Sequence, residues 1–182
     1  MEVRRASGLR ASPWKNGGGE TREIAVSPAG AGLDDFDWRL SMATVASDGP
    51  FSIFEGIDRT LFLLDGAGIT LDFADGELAH LAAGDRHDFA AERPLLGRLA
   101  GGPVHDLNLM VRRGNLTAGV AQSDVSGPRT LATTNPTLLF VEVGQVTANG
   151  VPLARHDTAL LEPAEIVALD GRGRVIVITL TR

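Results

Sequence analysis

Asp106-Leu107-Asn108-Leu109-Met110-Val111-Arg112 alternates without a break, with Leu107, Leu109 and Val111 on one side of an extended chain and Asp106, Asn108, Met110 and Arg112 on the other. A period of two predicts a β-strand with one apolar and one polar face. That polar face is either wetted surface or the lining of a pocket. Upstream, from Asp37 to Val45, Trp38, Leu40, Met42 and Thr44 alternate with Arg39, Ser41, Ala43 and Val45, so a second strand has the same two-sided character.

Short apolar runs of the same kind recur at Phe36 to Val45, Thr60 to Leu64, Ile69 to Phe73, Leu107 to Val111, Thr137 to Val143 and Val175 to Leu180. Glycine, proline, aspartate and asparagine stand at the breaks between them. This spacing predicts an all-β sandwich or barrel in place of alternating βαβ units. A helical stripe is visible only from Pro163 to Leu169, too short to compete, so little helix is expected. Thr60 to Leu64 followed by Leu81 and Arg86-His87-Asp88 is echoed by Thr137 to Val141, Leu153 and Arg155-His156-Asp157. The echo predicts two related β units, residues 1–114 and a smaller 115–182, with a Gly-, Ser-, Thr- and Asn-rich seam from Gly114 to Asn135.

The 182 residues carry a net charge of -6, which argues against a nucleic-acid footprint, since that needs a clustered basic face. No cysteine is present, which removes disulfides, a thiolate nucleophile and Cys-ligated zinc and fits a reducing compartment. No apolar run approaches the ~20 residues needed to cross a bilayer, and no signal peptide is legible, so the cytoplasm is expected. Nucleotide-binding glycine fingerprints, Walker loops and the serine-hydrolase elbow are missing. The histidines His80, His87, His105 and His156 form no metal-ligand spacing, so neither a metal nor another cofactor is expected.

Two stretches hold chemistry-bearing residues. Pro13-Trp14-Lys15-Asn16-Gly17-Gly18-Gly19 places the chain's only lysine before three glycines. Such a run is kept where the backbone turns to positive φ or is pressed by a ligand or another strand, because glycine loses the most entropy on folding. Asp48-Gly49-Pro50-Phe51-Ser52-Ile53-Phe54-Glu55-Gly56-Ile57-Asp58-Arg59 reads as a turn anchored by two phenylalanines. Asp58 and Arg59 face opposite ways on a strand, so one of them is structural. Arg39 or Arg59 is the group expected to anchor a small anion, through the parallel hydrogen bonds of a guanidinium fork.

Pro13 to Gly19 with Thr21-Arg22-Glu23-Ile24, Trp38-Arg39-Leu40-Ser41, Asp48 to Ser52 with Gly56 to Arg59, and Gly102-Pro103 with Asp106 to Met110 and Arg112-Arg113-Gly114 together closely resemble the HutD/Ves family, in order and spacing, over residues 10–114. Glu55 stands where the family commonly has proline, and Ala91 where glycine is usual. The resemblance implies a cupin-like double β-barrel, or bicupin, in a cytoplasmic bacterial protein. It further implies a non-enzymatic role in histidine utilisation: binding a small carboxylate metabolite of the urocanate or formylglutamate type and thereby restraining pathway expression. The motif positions name Lys15, Asn16, Arg39, Ser41, Arg59, Asp106 and Asn108 as the ligand-binding set. The alternative on the same barrel is a metal-independent isomerase or hydrolase with Asp106 or His87 as general base. Edge strands leave room for a homodimer.

Overall fold

The computed structural model describes all of residues 1–182 and is built almost wholly from β-strands, with one turn of 3-10 helix at Ala6–Gly8. Seventeen strands form a seven-, a six- and a four-stranded sheet, and no sheet closes on itself. No helix is long and apolar enough to cross a membrane.

One compact unit comprises residues 10–115. Its six-stranded sheet runs Ala11–Pro13, Gly19–Ser27, Trp38–Val45, Val104–Arg112, Ile57–Asp65 and Arg86–Ala90, so the alternating strand read first from the sequence is third from one end and flanked on both sides. The four-stranded sheet runs Gly49–Pro50, Leu95–Leu99, Ile69–Phe73 and Leu78–Leu81. Side chains from both sheets share one core: Val45, Leu61, Leu63, Phe89 and Val104 from the first, Ile69, Leu71, Phe73, Leu81 and Leu95 from the second. The Trp38–Val45 strand begins two residues later than the apolar run at Phe36, which instead lies fully buried in a satellite cluster with Ile57, Ala91 and Met110.

The other unit joins residues 1–9 to residues 116–182. Residues 1–9, read from the sequence with the first unit, belong here because Glu2–Arg4 pairs antiparallel with Thr158–Leu161. Its centre is the pairing of Thr137–Ala148 with the sixteen-residue strand Ile166–Thr181. The apolar pattern marks only the second half of that long strand, because Gly171 and Gly173 resemble a break. Both instead lie inside the ladder. A Cβ on Gly173 would sit 2.3 Å from the Val143 carbonyl oxygen, and one on Gly144 2.3 Å from that of Arg172, so the two strands approach too closely there for any side chain.

The internal echo is real at the level of a turn, in a shifted register. In the first unit Gly84 N–H donates to the Leu63 carbonyl (2.7 Å), Leu63 N–H to Asp85 (3.0 Å) and Asp85 N–H to Ala82 (3.0 Å). In the second, His156 donates to Val141 (2.6 Å), Val141 to Asp157 (3.0 Å) and Asp157 to Ala154 (3.0 Å). In both turns the aspartate carboxylate caps an alanine N–H, Ala82 at 2.9 Å and Ala154 at 3.1 Å. The equivalents are therefore Asp85 and Asp157, not Asp88 and Asp157. His156, at φ 71°, occupies the left-handed position that Gly84 fills at φ 95°.

Candidate functional site

Cross-strand register decides which residues meet. On the Val104–Arg112 strand Met110 stands opposite Arg39 on one side and Arg59 on the other, so the two arginines lie in one row, two strand spacings or about 10 Å apart at the backbone. One row along, Asn108 is opposite Ser41, and one further, Asp106 is opposite Ala43. All of these side chains share the polar face read from the sequence. That face is no wetted surface, because Asp106 is 1% exposed, Ser41 2% and Asn108 4%. It lines a cavity of about 570 Å³, within the range of small-molecule sites.

Both guanidinium groups lean toward the Ser41–Asn108 pair. Arg39 donates from Nη1 to Ser41 Oγ (3.2 Å) and from Nε to Glu23 Oε2 (2.8 Å). Arg59 donates from Nε and Nη2 to Asn108 Oδ1, the first at 2.8 Å, and its guanidinium carbon lies 4.8 Å from the centre of the Phe51 ring. Asn108 Nδ2 in turn donates to Asp106 Oδ1. Arg59 and Asp106 are thus linked through a neutral amide and not by direct contact. A guanidinium carries five N–H donors. Two on each arginine reach protein acceptors.

The electrostatics follow from that linkage. Burial pushes the Asp106 carboxyl up to about 7, and the attraction of Arg59, the Asn108 amide and the Ala43 N–H offsets only part of the penalty. Burial likewise lowers Arg59 to about 10, with Asp106 opposing the shift and the nearby positive charge of Arg39 adding to it. Both partners carry a charge that the site disfavours. Glu23, the counter-charge of Arg39, is 45% exposed, and its screened pairing is correspondingly weak.

The glycine-rich loop forms one wall. Asn16 Oδ1 accepts the Gly18 N–H (3.0 Å), an Asx-type turn that lets Gly17 take φ 71°. What presses on Gly19 is protein: a Cβ there would lie 2.2 Å from the Thr44 carbonyl oxygen and 3.0 Å from the Trp14 ring. Trp14 is fixed by its Nε1–H, which donates to Thr21 Oγ1 at 2.8 Å. Lys15 is exposed and lines the cavity.

All seven residues named from the sequence, Lys15, Asn16, Arg39, Ser41, Arg59, Asp106 and Asn108, line this one cavity. Arg59 is the member of the Asp58–Arg59 pair that faces inward, while Asp58 is exposed and bound by Arg113 at 2.8 Å. His87, weighed as a general base, does not line it. Its ring packs against Phe73 and Phe89, with Nε2 3.2 Å from Glu77. Sequence reasoning missed the apolar walls Trp14, Phe51, Phe54, Met110 and Leu33. Met110 was legible from its place in the alternation, and the phenylalanines from the turn they anchor. Leu33 carried no signal.

The model of the HutD family matches residues 6–177. An uncharacterised 21.2 kDa protein in the hutC 3′ region of Pseudomonas putida is 34% identical over 99% of this chain and 97% of its own length. Protein Ves of Cronobacter sakazakii is 41% identical over 61% of this chain and 60% of its own. Among solved structures, HutD from Pseudomonas fluorescens SBW25 in a formate condition is similar at a TM-score of 0.85 and 32% identity, covering 99% of this chain and 97% of the other. A cupin 2 conserved barrel domain protein from Leptotrichia buccalis, at a TM-score of 0.60 and 11% identity over 100% of this chain and 97% of the other, shares the fold.

Proposed function

The chain belongs to the HutD family, and on that premise we propose that it is a non-enzymatic, cytoplasmic binder of a small carboxylate metabolite, of the urocanate or formylglutamate type, with a regulatory role in histidine utilisation. Its two β units, each carrying the same aspartate-capped turn, are read as the halves of a bicupin. The observation that carries the ligand reading is the pair of arginines facing one cavity, with N–H groups to spare and no direct acidic contact on Arg59. Two like charges in a poorly solvated hollow raise each other's energy, and an anion placed between them relieves both. Trp14, Phe51, Phe54 and Met110 supply apolar walls for the hydrocarbon part of such a ligand.

Titration calorimetry with urocanate, formylglutamate and formate tests the reading. Hydrogen bonds to charged groups contribute about 1.5–3 kcal/mol, so Arg59→Ala is expected to weaken binding about 10- to 100-fold. Absence of heat at millimolar ligand, or an affinity unchanged from the wild type in both Arg59→Ala and Arg39→Ala, removes the support.

One observation favours the second reading, a metal-independent isomerase or hydrolase. A buried carboxyl poised near neutral pH beside a guanidinium is what general acid–base chemistry on an anion requires. Turnover of a histidine-pathway metabolite by the wild type, abolished in Asp106→Asn, would select it.

A further inference from the structure

We propose that the cavity takes up its anion together with one proton from solvent, and that Asp106 is the group that receives it and then faces the bound carboxylate as an O–H donor. The inference rests on the ligand reading above and adds to it the charge state in which the site is occupied.

Among the residues that line the cavity, Asp106 is the sole carboxylate. The groups around it can be named strand by strand. On its own strand stand the neutral Asn108 and Met110. From Trp38–Val45 come the Ala43 N–H, the Ser41 hydroxyl and the Arg39 guanidinium. From Ile57–Asp65 comes Arg59, beside the apolar Leu61 and Leu63. The glycine-rich loop adds Lys15, and Gly19–Ser27 adds the Thr21 hydroxyl. Every charge that lines the cavity is therefore positive except that of Asp106; Glu23, which pairs with Arg39 at 2.8 Å, is not among the lining residues and is 45% exposed.

With the cavity empty of anion, the attraction of an ionised Asp106 is what opposes the burial penalty of Arg59, and it acts across the Asn108 amide. An anion between Arg39 and Arg59 takes over that part at shorter range. Two carboxylates then share one dry corner, and like charges so placed cannot both stay ionised. The ligand is held by guanidinium N–H groups and has a low intrinsic proton affinity, whereas Asp106, 1% exposed, already holds its proton until about neutral pH. The proton therefore goes to Asp106. No bond other than the new O–H is formed, and the proton is supplied by water or buffer. Protonation also changes what Asp106 can do, since a carboxylate only accepts hydrogen bonds and a carboxylic acid donates one.

The test is calorimetry with formylglutamate, and with formate as the smallest probe, in pairs of buffers whose ionisation enthalpies differ, MES and Bis-Tris at about pH 5.5 and 6, and Tris and HEPES at about pH 8. The difference in heat counts the protons taken up per ligand bound. Uptake is expected to be near zero at pH 5.5, where Asp106 is already protonated, and to rise to most of one proton by pH 8. Affinity falls about tenfold between pH 6 and pH 8, because the anion must then bring a proton with it. In Asp106→Asn the proton count drops to zero and affinity becomes flat with pH. Should that variant fail to fold, direct measurement of pH in weakly buffered wild-type protein on ligand addition gives the count alone. Binding with no proton uptake at pH 8 overturns this inference and leaves the ligand reading standing. No heat from either probe at any pH overturns both.

Discussion

Replacing Asp106 by asparagine is expected to stabilise the ligand-free protein, by an amount that grows with pH. An aspartate held at about 7 instead of its ordinary 3.8 binds its proton more tightly in the folded than in the unfolded chain across that interval. Stability that depends on this group is therefore present in acid and is lost as pH rises from about 4 to about 7, since the unfolded state binds fewer protons there. At about 1.4 kcal/mol per pH unit, the three units between the two values amount to about 4 kcal/mol at pH 7 and above. Asparagine keeps the shape and can still accept the hydrogen bond from Asn108 Nδ2, but it cannot ionise. Urea unfolding of both proteins at pH 4, 6 and 8 reads the effect as a difference, so the remaining carboxylates cancel. The variant should match the wild type to within about 1 kcal/mol at pH 4 and exceed it by about 4 kcal/mol at pH 8. A difference that does not change with pH would refute the argument that burial dominates. A wild type that gains on the variant as pH rises would show Asp106 to be a well-paired anion.

Gly19→Ala should cost about 3 kcal/mol or more in thermal unfolding, because the new methyl would meet the Thr44 carbonyl oxygen at 2.2 Å, where neither strand can withdraw. Trp14→Phe keeps an aromatic ring against Gly19 but loses the donor to Thr21, and is expected to lower stability by about 1 kcal/mol in urea unfolding. In the other unit Glu142, 2% exposed, receives Arg174 at 2.7 and 2.9 Å and Gln122 at 3.1 Å. Arg174→Met leaves that carboxylate buried without its cation and should cost about 3 kcal/mol. Glu142→Gln should cost less, since the Arg174 side chain is 40% exposed and can turn to water. Equal losses in the two variants would count against the asymmetry.

Much of the strand content was legible because side-chain period is a local property. The runs at Ile69 to Phe73 and Leu107 to Val111 fall within the strands Ile69–Phe73 and Val104–Arg112, and the two-sided pattern of the latter is the pattern of the structure. What local pattern misreads is the meaning of glycine. Gly171 and Gly173 look like punctuation, yet they lie where the backbones of two long strands nearly touch, and that close approach is a long-range fact. The same limit misassigned residues 1–9, whose pairing partner lies more than 150 residues away.

The candidate site divides along the same line. That Asp106 and Asn108 share a face follows from their spacing alone. That Arg39 and Arg59 stand on either side of Met110 depends on the register of three strands from separate parts of the chain. One consequence could not be read from residue types at all. An Asp and an Arg in one pocket suggest a salt bridge, but their register places Asn108 between them, so each keeps most of its burial penalty. Had Arg59 reached Asp106 directly, the pair would be closer to self-neutralised and an incoming anion would have to break it. The intervening amide holds the cation in position while leaving its charge only partly compensated by Asp106, which is the property an anion-binding site needs.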